Sequence, residues 1–192
     1  GTGIGGAIIV GGRLVRGRYG IAGEFGHMQV VPGGQRCECG NRGCWEQYSS
    51  GNALVREARG LAMANSPMAT DLLAHVGGDP ASLTGPMITE AARAGDATAT
   101  ELLAEIGHWL GVGIANLAAA LDPEVFVIGG GVSAAGDLLL GRGRMTMLST
   151  LGLLPLDGGR FHGFGNVPFA IFVAAAFFFG VTRLPRRARL RA

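Results

Sequence analysis

The spacing of apolar residues changes several times along the chain, and each change marks an element. Ala7-Ile8-Ile9-Val10 is an apolar run after a glycine-rich start and predicts a short buried strand. Gly11-Gly12 is a hairpin turn signal, and Arg13-Leu14-Val15-Arg16 alternates as the return strand. Met28–Val31 predicts another strand, ended by Pro32-Gly33-Gly34. Trp45 to Ala64 reads as helical, with Ser49-Ser50-Gly51-Asn52 as a break and cap. Leu72, Leu73 and Val76 suggest a short helix face, and Thr84 caps a helix running to Ala94. From Ala97 to Leu121, the residues Leu102, Leu103, Ile106, Leu110, Ile114, Leu117 and Leu121 recur at spacings of one, three and four, the stripe of a long helix. Asp122-Pro123 stops it. Glu124–Ile128 then reads as a buried strand, and Gly129-Gly130-Gly131-Val132-Ser133 turns into a helix beginning near Ala134. Such a mixture of strands and helices predicts an α/β fold.

The chemistry is concentrated between Gly23 and Glu46. Cys37, Cys39 and Cys44 are the only cysteines in the chain, and His27 precedes them by ten positions. Three thiolates and one imidazole suit a tetrahedral structural zinc. The competing reading is three unrelated thiols and a separate histidine. An intrachain disulfide framework cannot use all three. Thiols in such a cluster point to a reducing compartment. Glu24, His27 and Glu46 lie close to the cluster, and adjacent hydroxyls of a ligand need such acceptors once desolvated. Glutamate is more often a solvated surface charge, so that reading stays open here. His75 and His108 have no metal-ligating partner in local register and read as ordinary surface or half-buried histidines.

Two glycine-rich turns are candidates for phosphate. Gly1-Thr2-Gly3-Ile4-Gly5-Gly6 would let backbone N–H groups approach an anion, although it lacks the Lys-Ser/Thr of a P-loop. Gly129-Gly130-Gly131 joins a predicted strand to a predicted helix and could receive a nucleotide or be an ordinary turn. Gly107, Gly111 and Gly113 weaken the long helix but admit another backbone or a nucleotide.

Gly-Glu-x-Gly-His, followed by Cys-x-Cys-Gly-x-x-Gly-Cys-x-Glu, resembles the ROK family of sugar kinases and sugar-responsive repressors, over Gly1 to about Leu138. The resemblance implies the C-terminal half of an actin/hexokinase-like (ribonuclease H-like) kinase that moves the ATP γ-phosphoryl group to a hexose, with glucose O6 expected. It implies hexose contacts from Glu24, His27 and Glu46, with one ring nitrogen of His27 on the zinc. It implies nucleotide contacts from Gly1, Thr2 and Gly3 and from Gly129, Gly130 and Gly131, with Mg²⁺ accompanying ATP. Zinc would be structural, held by His27, Cys37, Cys39 and Cys44. The first phosphate loop and the catalytic Asp of an Asn-Asp pair do not occur in the sequence, so the chain is expected to be truncated and nearly inactive alone. The second reading is a sugar-responsive repressor. The intact relative is expected to be a cytoplasmic homo-oligomer without a nucleic-acid partner.

Charge divides the chain. Residues 1–137 carry 8 Arg against 13 acids (net −5), and residues 138–192 carry 8 Arg against Asp157 alone (net +7). The kinase-like region is therefore expected over 1–140 and an atypical tail over 141–192, without the amphipathic helix the family would place after Leu140. Met145–Leu156 is apolar, and Val167–Val181 is uncharged and followed by five arginines. Fifteen helical residues span ~22 Å against the ~30 Å core of a bilayer. The basic flank nevertheless makes membrane association of 145–181 the alternative to a frame change or fusion after Leu140.

Overall fold

The computed structural model describes residues 3–152. Gly1, Thr2 and residues 153–192, which hold most of the run 145–181 expected to associate with a membrane, lie outside them.

The long helix forms as the stripe predicts. It spans Ala97–Leu121 (α4), and Asp96 caps it by accepting the Ala99 N–H at 2.7 Å. Asp122, in the left-handed region at φ 40°, ends it before Pro123. Its stripe is buried except for Leu121, which is exposed at the last turn. Around α4 pack α1 (Gly51–Met63), α2 (Thr70–Ala74), α3 (Gly85–Arg93) and α5 (Asp137–Thr150), and their inward residues form one core with it. Ser50 caps α1 through the Ala53 N–H. Thr84 holds the cap position of α3 with extended backbone, but its side chain makes no cap bond; Pro86 in the first turn already lacks one of the donors a cap would satisfy.

The helix α5 lies against α4 at very short range. Cβ atoms built on Gly107 and Gly111 would collide with the carbonyl oxygens of Leu139 and Gly143. These two glycines therefore receive a backbone, the first of the two roles the sequence left open. Central packing also explains the apolarity of α4. Among the described residues it is the one helix long and apolar enough to cross a membrane, yet 56% of its most apolar window is buried in the core.

Three strand expectations need correction. Strands β1 (Ile8–Val10) and β2 (Arg13–Val15) pair antiparallel around Gly11-Gly12, but Ile9, Val10 and Leu14 are exposed. A lone hairpin has no second layer to cover it among the described residues. Met28–Val31 supplies only a single bridge, Gln29 to Cys44. Glu124–Ile128 has no ladder partner among the described residues, and Val125 and Val127 face solvent while Ile128 is buried. A strand is a relation between two segments, and apolar runs specify only one side of it.

A further correction concerns the segment after Leu138. The glycine run leads into a 3₁₀ turn, Gly131–Ala135, and α5 starts at Asp137. The helix expected to be missing after Leu140 is present: α5 runs across 140 to Thr150 and buries Leu139, Gly143, Thr146 and Met147 on one face.

Candidate metal centre and carboxylate rim

Two loops build the site. The first, residues 23–31, contains the 3₁₀ turn Phe25–His27. The second, residues 35–48, carries the cysteines and the 3₁₀ turn Trp45–Gln47. Backbone bonds sew them together: the Val30 N–H and Val31 N–H both donate to the Gly43 carbonyl, at 2.8 and 3.2 Å, and the Trp45 N–H donates to the Met28 carbonyl at 2.8 Å. Gly43 sits at φ 76° with its α-carbon against the Val31 carbonyl, so no side chain fits there.

This stitching brings all four predicted donors to one place. One ligand atom from each of His27, Cys37, Cys39 and Cys44 lies within 4.8 Å of the others. Cys39 Sγ is 3.6 Å from Cys44 Sγ, and Cys37 Sγ is 3.7 Å from His27 Nδ1. Zinc bonds of ~2.3 Å to sulfur and ~2.0 Å to nitrogen, tetrahedrally arranged, hold donors about 3.5–3.8 Å apart. The closest pairs already meet that spacing, so the residues fit a structural zinc. Burial pushes the Cys44 thiol up to about 12, and the neighbouring thiols push the same way. Burial also raises Cys37. The exposed Cys39 goes the other way, chiefly because the Asn41 N–H stabilises its thiolate.

Glu46 links this donor set to the rest of the site. Its Oε1 accepts the Cys37 thiol at 3.1 Å and lies 3.5 Å from His27 Nδ1. Its Oε2 rests over the backbones of Gly3 and Gly26. A Cβ on Gly3 would collide with Oε2, and one on Gly26 would stand 3.2 Å from it while colliding with the Ile4 carbonyl. Thus Gly3, His27, Glu46 and the cysteines converge. Glu24 lies three residues before His27 at the head of its turn, solvent-exposed and making no cap bond. Gly129–Gly131 is carried elsewhere, next to α5. The turn it begins is tied to α3 by Arg93 Nη2, which donates to the Ala134 carbonyl at 2.5 Å. His75 is exposed, and His108 is half-buried with Nδ1 3.2 Å from Thr146 Oγ1, as read from the sequence.

Buried anchors that no local pattern marks fix the turn carrying Glu46. Trp45 Nε1 donates to the Trp109 carbonyl at 2.7 Å, and its indole occupies the space a Cβ on Gly113 would need. Ser49 Oγ donates to the Ile106 carbonyl at 2.9 Å. An aromatic residue, a serine and a glycine in the right helical register were visible, but their meeting required the fold.

The ROK family profile matches residues 1–150. This chain belongs to the ROK family. It is 49% identical over 140 residues to the glucokinase of Streptomyces coelicolor, a match covering 73% of this chain and 44% of that enzyme. It is 35% identical over 138 residues to the DNA-binding transcriptional dual regulator NagC of Escherichia coli, covering 72% and 32%. Among solved structures, the ROK glucokinase of Streptomyces griseus in complex with glucose and AMPPNP matches with a TM-score of 0.75 at 44% identity, over 90% of this chain and 52% of that one. The chain therefore spans less than half the length of the curated relatives it matches. Its fold class is the actin/hexokinase-like α/β fold of ROK sugar kinases.

Proposed function

We propose that this ROK chain binds a hexose, glucose first, on Glu24, His27 and Glu46, and serves ATP-dependent phosphoryl transfer to a hydroxyl of that sugar, O6 for glucose. The observation carrying this reading is the contact of Glu46 Oε2 with the Gly3 backbone. It joins the start of the glycine-rich phosphate turn to the carboxylate of the sugar rim, and phosphoryl transfer depends on donor and acceptor being held together. In this reading, the Glu46 carboxylate accepts hydrogen bonds from sugar hydroxyls. His27 turns Nδ1 to the thiols and presents Nε2 to the sugar, and Glu24 adds an acceptor from the exposed side. The backbone of Gly1–Gly3 and the Thr2 hydroxyl contact the ATP phosphates, with Mg²⁺, and Gly129–Gly131 contributes to the nucleotide site. Zinc on His27, Cys37, Cys39 and Cys44 supplies rigidity to both loops. We assign the catalytic base to no residue of this chain. A cytoplasmic homo-oligomer belongs to the same reading.

The likeness to NagC keeps a sugar-responsive regulator as the second reading, since the rim would serve either purpose. The higher identity to glucokinase and the Gly3–Glu46 contact favour the kinase. Calorimetric titration of the zinc-loaded chain with glucose, then with AMPPNP, separates the two. The kinase reading expects both to bind, and Glu46→Gln to abolish the glucose signal. Glucose binding without AMPPNP binding would favour the regulator. No glucose binding would end both readings.

A further inference from the structure

The two residues next to Glu46 are held by different helices. On the N-terminal side the Trp45 indole is bound to α4. On the C-terminal side Ser49 also reaches α4, and Gln47, the residue directly after Glu46, is held by Arg56 in the middle of α1. Arg56 Nη2 donates to the Gln47 carbonyl at 2.6 Å, and Nη1 reaches Gln47 Oε1 at 3.4 Å. The guanidinium is aimed by its neighbour: Nε and Nη2 donate to Glu57 Oε1 at 3.2 and 3.0 Å. Glu57 Oε1 also accepts from Gln35 Nε2 at 3.4 Å, on the stem that enters the cysteine loop. Two consecutive helical residues thus hold both stems of that loop, Gln35 before Cys37 and Gln47 after Glu46.

Packing at Gln47 itself is incomplete, although Trp45 and Ser49 on either side are buried. A 140 Å³ cavity lies beside the turn, lined in part by Gln35, Gln47, Tyr48, Arg56 and Trp109. It leaves the turn room to shift if the guanidinium is removed. The Arg56 and Glu57 side chains are 39% and 44% exposed, so their ion pair adds little to stability. What the planar fork contributes is direction: it fixes the Gln47 carbonyl, and with it the 3₁₀ turn that carries Glu46.

We propose that Arg56 is a positioning residue for the hexose rim, setting the aim of Glu46 from α1 independently of the metal. The inference rests on the reading of Glu46 as a sugar ligand. Small errors of placement in such a site cost more affinity than stability, so Arg56→Met should weaken glucose binding about tenfold.

The test uses the full zinc-loaded chain and three variants: Arg56→Met, Arg56→Lys and Arg59→Met. Arg59 is a control from the same helix; it also clamps carbonyls, those of Leu83 and Ala81, but far along the chain from Glu46. Glucose affinity is measured by calorimetry, metal content by a chromophoric chelator, and mobility by hydrogen exchange of the Trp45–Tyr48 amides. Expected for Arg56→Met are the affinity loss, unchanged zinc, and faster exchange at Trp45–Tyr48. Arg56→Lys, which keeps the charge but puts its donors on one nitrogen instead of a planar fork, should fall between it and the parent. Arg59→Met should match the parent in glucose affinity. The proposal is overturned if Arg56→Met binds glucose like the parent, if Arg59→Met loses as much, or if the affinity lost tracks zinc lost. Should the parent itself not bind glucose, the hexose reading fails, and the exchange rates still decide whether Arg56 holds the turn. Should Arg56→Met not fold, Arg56→Lys carries the same comparison.

Discussion

The thiol of Cys37 donates to Glu46 Oε1 across 3.1 Å, so a predicted metal ligand and a predicted sugar ligand share one hydrogen bond. Zinc would take the Cys37 sulfur as thiolate, which has no proton to give. The same event would free Oε1 to accept from another donor. Metal loading and carboxylate availability are therefore coupled through a single sulfur atom.

Zinc binding should release protons. In the metal-free chain burial holds the Cys44 and Cys37 thiols above their ordinary value, so both are protonated at neutral pH and must lose protons to ligate. Affinity should therefore weaken as pH falls and strengthen as it rises. Calorimetry in two buffers of different ionisation enthalpy measures the protons released, and equal heats in both would contradict the assignment.

Chelation should loosen both loops. Stripping zinc is expected to lower the melting temperature of the chain, and Cys44→Ser to lose the metal even with chelator absent. An unchanged melting curve after complete zinc removal would show that the backbone bonds from Val30, Val31 and Trp45 suffice without it.

Alanine at Gly111 pits two effects against each other. Replacing Gly by Ala gains ~1 kcal/mol of helix propensity, whereas overpacking costs ~1–3 kcal/mol. The new Cβ would meet the Gly143 carbonyl, the Thr146 Cβ and the Met147 nitrogen, so neither backbone can move aside cheaply. Gly111→Ala should be net destabilising. Gly60, exposed on α1 with nothing within 4 Å of a built Cβ, is the counterpart, and Gly60→Ala should stabilise by ~0.5–1 kcal/mol. Denaturant melts of the two variants should shift in opposite directions.

Asp79 supports the turn Pro80–Ser82. The Ser82 hydroxyl donates to its carboxylate at 2.6 Å and the Ala81 N–H at 3.0 Å, and these bonds hold its carboxyl below the usual value of 3.8. A lowered folded pKa means the contribution is complete above the unfolded value and fades as pH falls through the folded one. The stability difference between the parent and Asp79→Ala should thus be constant from pH 7 to about 5 and shrink below about 4. A difference that grows on acidification would refute this.

Whatever depends on neighbours along the chain could be read from the residues alone. The donor set His27, Cys37, Cys39 and Cys44 was legible from side-chain chemistry and spacing. The bounds of α4 followed from its stripe and the Asp122-Pro123 stop, because helical hydrogen bonds close within four residues; its Asp96 cap was seen only in the structure. Tertiary structure decided what depends on a distant partner. Glu124–Ile128 has a strand's residues but no ladder partner among those described, since its partner's identity is not written in its own pattern. Gly107, Gly111 and Gly113 looked alike as helix-weakening glycines; the fold set the first two against α5 and the third against Trp45. Glu46 could be listed as a carboxylate near cysteines, yet its place between a thiol and the Gly3 backbone arises only when three separated segments meet.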